Sequence, residues 1–210
     1  LLILDCRRRL AIGAADGAVR WSDIRSGVGF SAMQASTLAL STLDKSFALL
    51  WGGQALAGRY VAASRFVSVA ALPVDALVTA ALPRLFRVMD KPAEAARALS
   101  LLALGAGGYG LVMGAVVWLG SGLVPWLLGP GFAESASAVR LLALYVPLYC
   151  FRILGTNALL GLGWKSWRFY SEVLAVLVMG FGIAWRIPVA GLEGTVEVVL
   201  GAEAFLGALV

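Results

Sequence analysis

Four ionisable residues, Asp44, Lys45, Arg65 and Asp75, lie within DKSFALLWGGQALAGRYVAASRFVSVAALPVDALVTAALPRLFR, an otherwise apolar stretch covering residues 44–87. Such a group at the centre of a bilayer costs roughly 2.5–3.5 kcal/mol on insertion scales, so it turns toward a bundle interior or a hydrated path and finds a partner there. Read as two helices around Gly52 and Gly53, the stretch puts Asp44 about 9 Å and Arg65 about 14 Å below the same surface at 1.5 Å per residue. Lys45 has the length to snorkel outward, whereas Asp44 does not. The arginine is therefore expected to reach the Asp44 carboxylate, as a structural ion pair or as one that also lines a substrate path. Pro73 lacks the N–H that bonds one turn back and is expected to weaken or kink the second helix beside Asp75. That site reads either as a hinge or proton-sensitive point or as an ordinary membrane-helix kink.

A second constellation is Tyr145, Tyr149, Arg152 and Thr156, whose spacings of four, three and four place them on one helical face. Hydroxylated rings beside a buried cation suit a sugar or a phosphate; the same pattern also suits a hydrogen-bonding seam between helices. Glu172, on the returning helix, lies at a depth from which it is expected to pair with Arg152. Glu193 and Glu197 complement a helix N-terminus, and Glu203 has no evident role.

The elements that carry these residues are hydrophobic helices. Apolar residues make up 60% of the chain and charged residues 14%, where soluble domains average nearer 45–50% and about 25%. Mean hydropathy is +0.88. The run from Ala98 to Ala133 holds no charge and exceeds the roughly 20 residues that cross about 30 Å of hydrocarbon. The pattern predicts an all-α, polytopic transmembrane bundle of about six spans, at 28–50, 56–82, 98–127, 137–163, 166–187 and 192–210. Residues 1–27 are expected to hold the end of a preceding helix and an interfacial amphipathic segment around Arg20, Trp21 and Arg25.

Charge orients the bundle. Arg7, Arg8, Arg9, Arg20, Arg25, Arg84, Arg87, Lys91, Arg97, Lys165 and Arg168 fall on one side, and Arg59, Arg140 and Arg186 on the other. This Lys/Arg asymmetry marks the cytoplasmic face, which places the N-terminal segment and loops 83–97 and 164–168 inside. The net charge of +5 is not gathered into a basic patch with interleaved aromatics, so nucleic acid is not an expected partner. Histidine is absent and Cys6 and Cys150 are far apart; no disulfide framework, metal site or cofactor is expected.

Several short patterns recur in order along the chain: Asp44 late in a helix, Gly58-Arg59-Tyr60 with Ala63 and Arg65, Leu82-Pro83-Arg84-Leu85, Leu128-Gly129-Pro130-Gly131-Phe132, Gly161-Leu162-Gly163 and Gly191-Leu192-Glu193-Gly194. With them the chain resembles the O-antigen flippase-like polysaccharide and lipid-linked oligosaccharide flippases of the multidrug/oligosaccharidyl-lipid/polysaccharide exporter superfamily. It departs at Arg59, where the family often has an uncharged residue, and in VAGLEGT. The resemblance implies about 12 to 14 helices in two pseudo-symmetric lobes that rock by alternating access, of which this chain is similar to the second. The implied cargo is undecaprenyl-pyrophosphate-linked oligosaccharide crossing the bacterial inner membrane for cell-surface polysaccharide synthesis, with membrane lipid and the missing N-terminal lobe as partners.

On this reading Arg65 and Arg152 hold the pyrophosphate, since arginine keeps its charge and grips phosphate with a planar fork. Tyr145, Tyr149 and Thr156 meet the sugar, while Asp44, Asp75 and Glu172 are charge partners. No catalytic residue is expected, and the protein is read as a carrier, not an enzyme. A multidrug or cation antiporter of the same superfamily would instead use Asp44 or Asp75 as a proton or sodium site. An integral-membrane glycosyltransferase or polymerase would need a catalytic constellation near a sizeable loop, and an inactive fragment would need none.

Overall fold

The computed structural model describes residues 21–88 and 91–210, and all the regular structure there is helical. The segment expected to end a preceding helix, Cys6 included, lies outside the described residues. The elements are α1 (Trp21–Val88), α2 (Pro92–Gly120), the short α3 (Val124–Leu128), α4 (Ala133–Leu142), α5 (Tyr145–Gly161) and α6 (Lys165–Leu209), with 3₁₀ turns before and after α3.

Neither long helix is a single rod. In α1, Gly53 takes φ 75° and ψ 178°; in α6, Gly191 takes φ 52° and ψ −126°. Positive φ is cheap only without a Cβ. The Tyr60 hydroxyl donates to Asp44 at 2.6 Å across a separation of 16 residues, a distance of about 24 Å along a straight helix. The chain therefore reverses at Gly53. It reverses again at Gly191, where Arg186 reaches Glu197 and a Cβ on Gly182 would lie 2.6 Å from Val198. Each long helix is thus a hairpin of two arms, 21–52 with 54–88 and 165–190 with 192–209. Between them α4 and α5 form a pair bent by 46° at residues 143–144, where the sequence predicts one helix over 137–163.

Side-chain contacts give the directions of the rods. Glu172 meets Ser36 and Gly180 faces Phe47, so the first arms of α1 and α6 run parallel. Arg152 meets Glu203 and Gly155 faces Val210, so α5 and the last arm also run parallel. α2 runs against α5, since Gly107 faces Phe151 and Gly114 faces the Ala143 carbonyl. Gly53, the 128–132 turn and Gly191 therefore share one end of the bundle. Arg59 is ion-paired with Glu134 there and Arg186 with Glu197. Arg140 bonds Ser121 and lies over the Trp118 ring.

The fold is apolar outside and polar within. Trp185, Phe181, Leu104 and Leu119 are each more than 70% exposed, while Glu172, Arg152, Arg168 and Glu203 are each at most 6% exposed. Such an exterior suits association with a membrane. Three helical stretches, or four if the bent pair counts as one, are long and apolar enough to cross a membrane. Pro73 does not end its helix, which continues through it with Gly53 as the residue that leaves helical dihedrals.

α2 approaches α5 closely because it presents glycines: a Cβ on Gly110 would sit 2.9 Å from Cys150 Sγ and 3.0 Å from the Pro147 backbone, whereas Gly108 faces open space. Gly110→Leu should cost about 1–3 kcal/mol of stability through overpacking, and Gly108→Leu should change it by under about 0.5 kcal/mol. Thermal unfolding in detergent, followed by tryptophan fluorescence, checks the contrast.

Candidate functional site

Two polar clusters interrupt the apolar interior. The first lies near the start of α6. Glu172, fully buried, accepts from Ser36 at 2.5 Å, from Thr37 at 2.9 Å and from Arg168 Nε at 3.1 Å. Arg168 also donates to Thr37 at 3.3 Å. Buried charge is tolerated when paired and hydrogen-bonded, and here two arms share the satisfaction. The expected Glu172–Arg152 pair does not form. Arg168, one turn before Glu172 on the same helix, takes that place, and it points inward where the charge pattern put it among cytoplasmic loop cations.

The second cluster surrounds a cavity of about 300 Å³, lined by both arms of α1, the α4–α5 pair and both arms of α6. Asp44, Lys45, Tyr60, Asp75, Tyr145, Tyr149 and Glu203 contribute its polar wall. Ser41, Ser68 and Leu72, exposed residues of the α1 hairpin, also line it, so it opens between those two arms. Helical spacing explains the assembly: Tyr60, Ser64, Val67, Ala71 and Asp75 recur every three or four residues down one face of the second arm.

Each charge on this wall has a partner. Asp44, 6% exposed, accepts from Tyr60 at 2.6 Å and from Lys45 at 3.1 Å. Asp75 accepts from the Tyr149 hydroxyl at 2.5 Å. Arg152 Nε donates to Glu203 at 2.5 Å, and its guanidinium lies 4.9 Å from the centroid of the Tyr149 ring. Tyr145 stacks on Tyr149 with centroids 5.6 Å apart. The result is a continuous run, Asp75–Tyr149–Arg152–Glu203, across three elements. Among the described residues no buried side-chain nitrogen or oxygen lacks a hydrogen-bond partner.

Of the residues read from the sequence, Tyr145, Tyr149, Asp44 and Asp75 come together at the cavity, and Arg152 reaches it through Glu203 and Tyr149. Arg65 does not. It is exposed and outside the lining, because it falls more than a quarter turn from the Tyr60–Ser64–Ala71 face. Its expected pairing with Asp44 is replaced by Tyr60 and Lys45. Thr156 is buried with its hydroxyl returned to the Arg152 and Ile153 carbonyls, a local backbone bond. Glu203, without an evident role in the sequence, and Tyr60, noted only within Gly58-Arg59-Tyr60, are participants to which sequence reasoning gave no place in the site. An acidic residue deep in an apolar run is the signal that exposes Glu203.

The arrangement has three carboxylates, Asp44, Asp75 and Glu203, against two cations, Lys45 and Arg152. It is a hydrogen-bonding surface with aromatic faces, not a strongly basic anion hole. No group of three or more His, Cys, Asp or Glu side chains suited to a metal occurs among the described residues.

Removing one member of a buried pair leaves the other uncompensated. Arg152→Ala should therefore cost about 3–5 kcal/mol of stability, Tyr149→Phe about 1–3 kcal/mol through Asp75, and Arg65→Ala no more than about 0.5 kcal/mol; thermal unfolding of the three purified variants in one detergent ranks them. In comparisons with known proteins the chain matches no protein-family model, no curated protein and no solved structure.

Proposed function

We propose that this chain forms one lobe of a membrane carrier that moves a lipid-linked oligosaccharide, borne on undecaprenyl pyrophosphate, across the bacterial inner membrane by alternating access. Reversal at Gly53 and Gly191 turns two of the membrane-length helices into hairpins, which supports six spans. The exposed Arg84, Arg87, Arg97 and Lys165 at the opposite end support a cytoplasmic placement for residues 83–97 and 164–168, although Arg168 itself turns inward. Alternating access requires a second lobe for this one to rock against.

The observation that carries the reading is the stacked Tyr145–Tyr149 pair set among Asp44, Asp75 and Glu203 in a cavity that opens between the arms of α1. A sugar has apolar C–H faces that lie on aromatic rings and hydroxyls that donate to carboxylates; a site with few placed polar groups among apolar walls orients such a ligand. The lipid tail stays outside, against the exposed leucines and phenylalanines. Arg152 is the cation for the pyrophosphate, and Arg65 has no part in this cavity.

A second reading is favoured by the excess of carboxylates: a cation-coupled antiporter that uses Asp44 or Asp75. The two separate by cargo. The protein containing this chain, reconstituted in vesicles loaded with lipid-linked oligosaccharide, should raise translocation, read as lectin-accessible glycan, and Tyr145→Ala with Asp75→Asn should cut the rate at least about tenfold at equal protein content. Glycan movement no faster than in empty vesicles, with dye efflux driven by a cation gradient, supports the antiporter. If the cavity is hydrated, cysteines at Ser41 and Ser68 should react with a membrane-impermeant thiol reagent, and a cysteine at Leu104 should not.

A further inference from the structure

We propose that the groove where the 21–52 arm meets the start of α6 binds an anionic glycerophospholipid, with Lys165 holding the phosphate and Phe30, Met33 and Phe169 lying along an acyl chain.

The groove holds about 460 Å³, inside the roughly 300–1,000 Å³ of small-ligand sites. Small residues open it. A Cβ on Gly29 would meet nothing within 4 Å, and Ala32 fills little of the same wall. Met33, which is buried, closes the bottom. One turn further in, Ser36 and Thr37 of the 21–52 arm hold Glu172 of α6 at 2.5 and 2.9 Å. Those bonds fix the spacing of the two arms, so the groove is a built feature of packed helices.

Its chemistry differs from that of the central cavity, with which it shares no lining residue. Three carboxylates serve the cavity, whereas none lines the groove. Its polar groups are the Lys165 ammonium and the Ser166 and Tyr170 hydroxyls, donors that suit a phosphate. Among the described residues no carboxylate pairs with Lys165, while the neighbouring Arg168 is already held by Glu172. No side-chain hydrogen bond caps the start of α6, so its first N–H groups and the positive end of its dipole also favour an anion there.

Depth and shape select a lipid over a free phosphate. Trp164 and Trp167, both exposed, flank Lys165, and amphipathic rings of this kind sit at headgroup level. Phe30, Met33 and Phe169 make the apolar part of the lining, which an acyl chain covers and a soluble phosphate leaves wet. Arg84, Arg87 and Arg97 are exposed at the same end, and basic pockets between helices on that side of a membrane take anionic headgroups. The ligand is therefore a glycerophospholipid whose headgroup carries no ammonium of its own. Seated in the groove it bridges two arms that also line the central cavity, through Asp44 and Met179.

The test titrates fluorescent short-chain phosphatidylglycerol and the matching phosphatidylcholine into the purified protein in nonionic detergent, read by anisotropy, with glycerol 3-phosphate as an unlabelled competitor. Phosphatidylglycerol should bind at least about fivefold more tightly, the scale of one lysine near an anionic headgroup. Lys165→Gln should bring the two lipids to equal affinity, and Lys165→Arg should keep the preference. Gly29→Leu, which fills the groove, should weaken both lipids about tenfold. Arg84, at the same end but on a different groove, is the control: Arg84→Gln should leave the preference unchanged. Equal affinity of the unmodified protein for the two lipids overturns the site, as does a preference that survives Lys165→Gln. Arg84→Gln acting as strongly as Lys165→Gln marks diffuse surface charge and overturns it too. Glycerol 3-phosphate competing as well as unlabelled phosphatidylglycerol marks a free-phosphate site and excludes the lipid; no binding of either lipid marks a groove closed by another part of the protein. Lys165 is exposed, so its variants keep the test decisive even where Gly29→Leu fails to fold.

Discussion

The structure depends on keeping ionised groups in an apolar bundle from being alone. Moving a charge out of water costs several kcal/mol even after relaxation, and only a close partner with further hydrogen bonds offsets it. Arg152 and Glu203 satisfy that condition across two helices, and Asp44 with Lys45 and Tyr60 satisfies it across one hairpin. These contacts add to the buried apolar cluster that the same elements share. Between apolar helices in lipid there is no hydrophobic driving force; close packing and interhelical polar contacts take its place.

Packing answers the same need differently on the other face. α2 carries no charge from Ala98 to its end and offers glycines to α5, so backbones approach where no ion pair is present. The bundle has a polar half, formed by the α1 and α6 hairpins with the α4–α5 pair, and a smooth half against α2. The cavity belongs to the polar half because only there do satisfied charges leave a hydrogen-bonding surface.

Much of this was legible in the residues. Hydropathy alone locates the helical stretches, and positive-φ positions fall at glycines that punctuate apolar runs, as at Gly53 and Gly191. The Tyr145–Tyr149–Arg152 face was readable from helical spacing, and it does line or adjoin the cavity. Partner choice was not readable. Depth along a helix placed Arg65 near Asp44, but depth says nothing of rotation: at 100° per residue Arg65 lies off the face that Tyr60 and Ser64 present. For Glu172, the competing arginine was one turn away on its own helix, a local pair that forms without any tertiary arrangement. The 46° bend between α4 and α5 was legible but unread: Pro147 has no N–H for the Ala143 carbonyl four residues back, so the helix breaks at 143–144.

The long interval between Arg152 and Glu203 along the chain bears on biosynthesis. A ribosome completes the arginine 51 residues before its counter-ion, so a nascent α5 carries a cation without that partner. Burial of that cation is then disfavoured until the final arm is made. The hairpin at Gly191 delivers that carboxylate, which makes the last helix a chaperone in cis for the one before it.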